Sequence, residues 1–213
     1  MKKKDWIKPA AKAVVEPLHH GLVFDRRVTV LAQAIANVLP PGNLKGLDVG
    51  CGDGILGKRV EMLRDDVSFE GLDVLVRPNA CIKVTEFDGA NLPFADDDFD
   101  FCMMIDVLHH THNQVEILRE CLRVAKDFVL IKDHLCESLL DSVTLRFMDW
   151  VGNKAHGVDL PYLYLSGEGW QQLYNQCNAA VETVHPKLNI YPQPASLVFD
   201  RDLHFLSKIR LRK

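Results

Sequence analysis

Hydrophobic positions follow two different spacings along this chain of 213 residues. Short apolar runs with the length of β-strands recur along its first two thirds: "LKGLDVG", "VSFEGLDV", "CIKVTEFDG", "FDFCMMIDVLHH" and "DFVLIKDHL". Between them, "ILGKRVEMLRD" and "QVEILRECLRVA" place apolar residues three or four positions apart, which is typical of helices that cover one face of a sheet. Strands that alternate with helices predict an α/β fold with a parallel, doubly wound sheet.

The two ends of the chain add further elements. Before the first strand, "FDRRVTVLAQAIANVLPPGN" predicts a helix that Asp25 caps and "PPG" ends. After the fifth strand come a helical run, "ESLLDSVTLRFMDWVGN", an aromatic-rich loop, a short helix capped by Ser166, and two β-like runs that predict an antiparallel hairpin. No repeat or linker marks a boundary. We therefore predict one domain over residues 1–213, with 1–43 as an N-terminal helical cover and 135–166 as an insertion that acts as a lid.

Composition and charge exclude several classes of protein. A net charge of −4 and a pI of about 6.1 provide no basic field to attract nucleic acid. Six cysteines without a C-x-x-C pair argue against a zinc knuckle and favour a reducing compartment. The basic start of the chain makes a poor signal peptide, and no apolar run approaches the roughly 18 residues of a membrane span. We expect a cytoplasmic protein with no membrane span and no nucleic-acid partner.

The stretch "LDVGCGDGILG" can be read in two registers. "GDGILG" fits the G-x-G-x-x-G pattern of dinucleotide sites, and "DVGCGDG" is a different pattern. Asp73, about 20 residues beyond the loop, would bind ribose hydroxyls in either register. Asp48 discriminates between them, because a carboxylate close to the loop would repel a pyrophosphate but suits a cationic ligand. The acids at later strand ends, Asp88 and Asp106, also favour a ligand with positive charge and no phosphate, such as S-adenosylmethionine.

These residues resemble motif I of the class I, seven-stranded S-adenosylmethionine-dependent methyltransferases. The resemblance continues through "GLDV", "FDGANLPFADDDFD" and "VLHHTHNQVEILRECLRVAKD", which are similar to signatures of the small-molecule branch typified by ubiquinone and menaquinone methyltransferases. It covers residues 44–134, and it departs from the family at "VAKDFV", where "L-K-P-G-G" is common. It implies a mostly parallel sheet of order 3-2-1-4-5-7-6 with strand seven antiparallel, and S-adenosylmethionine as the cofactor.

The resemblance also implies a cofactor site along the carboxyl ends of the first three strands. The methionine moiety would lie at the glycine loop, the ribose at the acid that ends the second strand, and the adenine between the next residue and the third strand. The implied cofactor-binding residues are Asp48, Gly50, Cys51, Gly52 and Gly54, then Asp73 and Val74, then Asp88 and Gly89. Asp106 would line the mouth at the methyl donor and is a predicted catalytic residue.

Three histidines, His109, His110 and His112, follow the fourth strand. Their spacing is too tight for one face to present all three, and no carboxylate or cysteine stands at a supporting spacing, so we expect no metal site. His109 would face the crevice and could accept a proton from a nucleophile near neutral pH, which makes it the second predicted catalytic residue. His134, at the end of the fifth strand, is an alternative. Simple packing or helix capping is the competing interpretation for His109.

The acceptor is predicted to be a small molecule. The fourth strand ends in "IDVL" rather than the "[DN]-P-P-[YFW]" of the family's amino-group methylators, and the acidic pI disfavours a nucleic-acid acceptor. The insertion supplies side chains suited to a substrate lid, Arg146, Trp150, His156, Tyr162 and Tyr164, although the same residues could form the core of a helical cap. Two other functions stay open: an NAD(P)-dependent oxidoreductase that uses "GDGILG", and a ligand-binding module that acts through a partner protein.

Overall fold

The protein contains a seven-stranded sheet, which a computed structural model describes through residues 24–153 and 161–212. The strand order is β3-β2-β1-β4-β5-β7-β6. The strands are β1 Leu44–Val49, β2 Val67–Asp73, β3 Val84–Glu86, β4 Phe99–Ile105, β5 Ala125–His134, β6 Ala179–His185 and β7 His204–Leu211. Strands β1 to β5 pair in parallel, and β7 is antiparallel to β5 and to β6. The predicted fold class, sheet order and antiparallel seventh strand are confirmed.

Helices occupy the connections on both faces of the sheet. They are α1 Asp25–Val38, α2 Ile55–Leu63, α3 Gln114–Val124, α4 Leu139–Asn153, α5 Gly167–Gln176 and α6 Ser196–Phe199, with a 3-10 turn at Leu108–His110. Helix α1 begins at Asp25 itself, so the prediction that Asp25 caps this helix is wrong by one residue. Ser166 caps α5 as predicted, because its hydroxyl accepts a hydrogen bond from the backbone N–H of Gly169 at 3.2 Å.

Successive side chains of the central strands point to opposite faces of the sheet, and both faces are buried. Cys102 and Met104 of β4 lie in the layer under α3 and α5. Phe101 and Met103 lie in the layer under α1 and α2. A Cβ atom on Gly46 would lie 2.5 Å from the ring of Phe101, so a glycine at this position of β1 lets the second layer hold large aromatic rings.

The segment that was predicted as an insertion leaves and rejoins the sheet at neighbouring points. Leu135 and Leu165 form an isolated parallel bridge, and the backbone N–H of Cys136 donates to the carbonyl of Leu165 at 3.1 Å. Helix α4 lies within this segment. The start and the end of the segment are therefore anchored beside the carboxyl end of β5.

The strand order reverses between β1 and β4, where the connections lead to opposite faces of the sheet. This reversal leaves a crevice at the carboxyl ends of the parallel strands, which is where ligands bind in open α/β sheets. None of the helices within residues 24–153 and 161–212 is long and apolar enough to cross a bilayer.

Candidate active site at the carboxyl edge of the sheet

The loop after β1 requires glycine at several positions. Gly50, Gly52 and Gly54 have φ angles of 73°, 62° and 73°, a conformation that is costly for residues with a Cβ atom. A Cβ on Gly50 would lie 2.6 Å from Cγ2 of Val107, and a Cβ on Gly54 would lie 2.4 Å from Cγ1 of Ile82. The loop is therefore packed tightly between the segments that follow β4 and precede β3.

Asp73, at the end of β2, holds the glycine loop in shape. One of its carboxylate oxygens accepts the N–H of Gly52 at 2.7 Å, and the other accepts the N–H of Leu75 at 3.0 Å. Asp53 also stabilises the local structure, because its carboxylate accepts a hydrogen bond from the N–H of Ile55, in the first turn of α2, at 3.2 Å. A ribose-binding role for Asp73 stays a prediction. The structure shows, in addition, that Asp73 stabilises the loop.

Asp48 is buried in β1 directly before this loop, with 3% of its surface exposed. Burial raises the pKa of its carboxyl to about 8, and repulsion from Asp73 and Asp53 adds to the shift. An anion at this position becomes favourable when a positive charge approaches, whereas a pyrophosphate would add further repulsion. This donor set fits a ligand that carries sulfonium and ammonium groups, as S-adenosylmethionine does.

The residues predicted to contact adenine come together in part. A Cβ atom on Gly89, which has a φ of 84°, would lie 3.4 Å from Cγ1 of Val74. Val74 is 57% exposed and is followed by two more exposed apolar residues, Leu75 and Val76. The Asp88 carboxylate accepts hydrogen bonds from the backbone and side chain of Asn91 and from the backbone N–H of Ala90, and these bonds lower its pKa to about 2. Asp88 therefore stabilises the turn that places Gly89 beside Val74.

Cys51 packs under the loop and does not have the properties of a nucleophile. Its sulfur lies 2.6 Å from where a Cβ on Gly71 would be, so glycine at that position of β2 makes room for it. Burial raises the pKa of the Cys51 thiol, and the nearby carboxylates of Asp48 and Asp73 raise it further. The thiol form is the stable one here, and a cofactor-binding role for the Cys51 backbone stays a prediction.

Asp106 follows β4 and is held between two cations. It adopts a φ of 58°, and its two carboxylate oxygens accept hydrogen bonds from Arg27 of α1 and Lys132 of β5. Burial alone would raise its pKa, but Lys132 and Arg27 outweigh that effect and hold the pKa well below its usual range. Asp106 was predicted to be catalytic. In this arrangement it is an ionised carboxylate that ties α1 to the sheet.

His109 lies in the 3-10 turn after β4 and is 1% exposed. Its Nδ1 atom lies 2.7 Å from Oδ1 of Asp133, and its Nε2 atom lies 3.3 Å from Oδ2 of Asp149. Burial would lower the pKa of the imidazole, but the two carboxylates outweigh it and raise the pKa to about 10. With both acids in place, a proton on His109 is stabilised at neutral pH, and the ring becomes a base only when one acid is displaced or compensated.

The insertion reaches this turn from above the sheet. Asp149, on α4, accepts a hydrogen bond from the hydroxyl of Tyr164. The backbone N–H of Leu163 donates to the carbonyl of His109 at 3.1 Å, and the amide of Gln114 bonds both Leu108 and Leu163. The insertion therefore covers His109 and buries it.

His134 ends β5 beside His109, with ring centroids 4.8 Å apart. Its Nε2 atom lies 3.5 Å from Asp106 and 4.0 Å from Asp149. Burial lowers its pKa well below the usual range, and Lys132 lowers it further. His134 is therefore neutral, and one of its two ring nitrogens is available as an acceptor or a ligand.

Of the predicted substrate residues, Tyr164 contacts His109, and the other described ones contact neighbouring residues of the insertion. Tyr164 stacks against His109 at a centroid distance of 5.4 Å. Arg146 lies over the ring of Tyr162 at 5.2 Å, and Trp150 lies 6.4 Å from the ring of Phe147. His156 lies outside the described residues.

Sequence reasoning missed the acids that surround His109. Asp133 lies inside the strand run "VLIKDHL", where three consecutive buried polar residues, Lys132, Asp133 and His134, interrupt an apolar pattern. That interruption was the available signal, because charged residues are rarely fully buried unless they are paired. Asp149 gave no such signal, since it stands in an ordinary amphipathic helix.

Part of the chain is similar to a known protein family. Residues 47–128 match the family described as "Methyltransferase domain". An uncharacterised protein of Methanocaldococcus jannaschii is 32% identical over 95 residues, which are 44% of this chain and 44% of that protein. The chain thus spans less than half the length of this curated relative.

Solved structures share the fold at low sequence identity. A chain in the complex between the Haloferax volcanii Trm112 methyltransferase activator and a methyltransferase superposes with a TM-score of 0.63 at 16% identity, over 95% of both chains. An S-adenosylmethionine-dependent methyltransferase from Thermotoga maritima superposes with a TM-score of 0.60 at 18% identity, over 94% of this chain and 97% of the other.

The glycine loop, the buried Asp48 beside it and the strand order agree with these matches. The quinone branch of the family is not singled out by them. The chain has the seven-stranded fold of the class I methyltransferases, residues 47–128 match a methyltransferase domain, and these matches imply S-adenosylmethionine as the cofactor.

Proposed function

We propose that this protein is an enzyme that transfers a methyl group from S-adenosylmethionine to a small-molecule acceptor. The observation that carries the proposal is the buried Asp48 beside the glycine loop. A cationic ligand relieves the cost of ionising that carboxyl, and a dinucleotide does not. The nicotinamide-dependent oxidoreductase considered from the sequence is therefore not proposed, and no comparison supports it.

The cofactor roles follow the chain order of the site. Asp48 and the backbone at Gly50 hold the methionine end, with Cys51, Gly52 and Gly54 giving close backbone approach. Asp73 binds the ribose hydroxyls while it keeps its hydrogen bond to the loop. The adenine lies on the exposed surface of Val74, next to Gly89 and the Asp88 turn.

The bound cofactor supplies an electrophilic methyl group on a sulfonium. The task of the protein is to place the acceptor behind that carbon and to exclude water. His109 and Asp106 are the proposed catalytic residues, since both lie in the segment that packs through Val107 against Gly50. His109 would hold or accept the acceptor's proton, and Asp106 would fix Arg27 and Lys132 beside it.

The insertion supplies the acceptor pocket in this proposal. Arg146, Tyr162 and Tyr164 lie on the part of the insertion that covers His109, and Trp150 is on the same helix as Asp149. His156 is proposed with them from the sequence. A lid of this kind suits a small organic acceptor, and all six cysteines being unpaired supports a reducing, cytoplasmic location.

A second candidate function is a module that binds the cofactor but acts only with a partner. It is favoured by the structural likeness to the Haloferax volcanii complex, whose other component is a methyltransferase activator. The two functions differ in what the isolated chain does.

The experiment supplies the chain with S-adenosylmethionine that carries an isotope-labelled methyl group and a panel of small hydroxyl, amine and thiol compounds. Mass spectrometry then follows labelled product and S-adenosylhomocysteine. Labelled product from the isolated chain supports the enzyme, and Tyr164→Phe should change its yield. Cofactor binding without any labelled product supports the partner-dependent module instead.

A further inference from the structure

Three side chains of metal-ligand type lie buried at the carboxyl ends of β4 and β5. His109, His134 and Asp149 are 1%, 5% and 6% exposed, and one ligand atom from each lies within 4.8 Å of the other two. These three residues are named the His–His–Asp cluster below. Two imidazoles and one carboxylate form the protein ligands of many catalytic sites for zinc and for non-haem iron.

Asp133 fixes how His109 faces the other two members of the cluster. Since Nδ1 of the ring lies 2.7 Å from Asp133, a neutral His109 carries its hydrogen there and leaves a lone pair on Nε2. That Nε2 atom is buried, and Oδ2 of Asp149 lies 3.3 Å from it without the geometry of a hydrogen bond. A carboxylate that orients a histidine in this way is the usual outer partner of a metal-bound imidazole.

The spacing of the ligand atoms agrees with a shared ion. Metal–ligand bonds of roughly 2.0–2.2 Å place tetrahedral ligand atoms about 3.3–3.6 Å apart. Nε2 of His109 lies 3.3 Å from Oδ2 of Asp149, and Nε2 of His134 lies 4.0 Å from Oδ1 of the same carboxylate. The first pair already has the required separation, and the second, which involves the other oxygen of Asp149, must close further to share the same ion.

The charges around the cluster favour the binding of a cation. Three carboxylates, Asp106, Asp133 and Asp149, face it, and two cations, Arg27 and Lys132, are both bound to Asp106. With neutral histidines this leaves one net negative charge in a buried site, which is unfavourable without compensation. A proton on His109 would supply one positive charge, and a divalent ion would supply two.

We infer that the His–His–Asp cluster binds a divalent transition-metal ion of the Zn²⁺ type, with a fourth position open. The inference rests on the proposed function and changes the role of His109 in it from a base to a metal ligand, and Val107 connects this turn to the glycine loop. A hydroxyl or thiol acceptor bound at the open position would release its proton to water more readily. Its lone pair would then form the bond to the methyl carbon, while the carbon–sulfur bond breaks and its electron pair goes to the sulfur.

The sequence predicts no metal site, because His109, His110 and His112 are too closely spaced to share an ion. The other two ligands stand 25 and 40 positions further along the chain, at 134 and 149. They meet His109 only through the pairing of β4 with β5 and the return of α4 over the sheet.

The test uses the full chain, treated with a chelator and dialysed. Calorimetry with Zn²⁺ measures stoichiometry and affinity, and visible absorption of the Co²⁺ form reports the geometry. We expect one ion per chain and the intense absorption bands of tetrahedral Co²⁺. Asp149→Asn and His134→Gln should abolish these bands, and Asp133→Asn should weaken affinity about 10- to 100-fold. The exposed His112→Gln is the matched control and should bind as the wild type does.

Several results would overturn the inference. One is the absence of stoichiometric binding in the wild type, which would leave the proton on His109 as the compensating charge. Another is binding that Asp149→Asn and His134→Gln leave unchanged. Circular dichroism identifies a variant that does not fold. If His134→Gln does not fold, metal binding by Asp149→Asn decides between the two outcomes. Calorimetry with S-adenosylmethionine on the metal-free chain tests the proposed function separately, since cofactor binding without metal binding removes this inference alone.

Discussion

Nδ1 of His109 and Oδ1 of Asp133 lie 2.7 Å apart, and both side chains are 1% exposed. Asp133 also accepts the backbone N–H of Leu108 at 3.1 Å and that of His134 at 2.7 Å. A single buried carboxylate thus joins the turn after β4 to the end of β5. The position of the predicted catalytic histidine depends on it.

Replacing Asp133 by alanine should lower the free energy of unfolding by about 3–5 kcal/mol, because it removes one partner of a buried charged pair and leaves backbone donors unpaired. Asp96→Ala is the control, since Asp96 pairs with Arg123 while 77% exposed and should cost less than about 1 kcal/mol. Urea unfolding measures both. Equal effects of the two substitutions would contradict the structural role of Asp133.

Asp48 should make both stability and cofactor affinity depend on pH. Its pKa in the folded protein is about 8, above the ordinary value of 3.8. Between these values the folded chain retains a proton that the unfolded chain has lost, so its contribution to stability is present below about pH 4 and is lost as pH rises toward 8. Asp48→Asn should remove this part of the slope in urea unfolding.

Affinity for S-adenosylmethionine should change in the opposite direction. A cationic ligand prefers the ionised carboxyl, so affinity should rise up to tenfold per pH unit below about 8 and then level off. Calorimetry at several pH values measures it, with Asp48→Asn as the comparison. If the affinity of the wild type does not change with pH, Asp48 does not interact with the methionine end of the ligand.

Gly54→Ala should destabilise the protein by at least about 1–2 kcal/mol, because the φ of 73° is strained for alanine and the new Cβ would meet Ile82 at 2.4 Å. Gly152→Ala, in α4, is the matched control. Nothing lies within 4 Å of its new Cβ, so it should stabilise the helix by about 0.5–1 kcal/mol. Thermal unfolding of both variants checks this, and a neutral Gly54→Ala would refute the tight packing of the loop.

Local patterns were enough to predict the sheet and the glycine loop. Strand runs such as "LKGLDVG" are short and apolar, and Gly50 and Gly54 predict a turn within a few residues. The surroundings of His109 could not be predicted in this way. Asp149 reaches it only because α4 folds back over the sheet, and Asp106 meets Arg27 only because α1 packs nearby. Contacts between distant segments depend on packing, which a local pattern does not encode.

Tyr164→Phe should lower the free energy of unfolding by about 1.5–3 kcal/mol, because the phenol donates a hydrogen bond to the buried carboxylate of Asp149. Tyr162→Phe tests the neighbouring aromatic residue of the same segment, whose hydroxyl forms no hydrogen bond with the described residues, and should change stability by less than about 0.5 kcal/mol. Urea unfolding compares them. If Tyr162→Phe has the larger effect, the contact between Tyr164 and α4 does not secure the insertion.

Calorimetric titration of the full chain with S-adenosylmethionine and S-adenosylhomocysteine tests the central claim most directly. The account predicts saturable binding of both at one site. Asp73→Ala should weaken both about tenfold or more, since it removes the proposed ribose ligand and the hydrogen bond that holds Gly52. Asp96→Ala should leave both affinities unchanged. No binding of either compound at about 1 mM, a level at which even weak affinities register, would contradict the assignment of this site to S-adenosylmethionine.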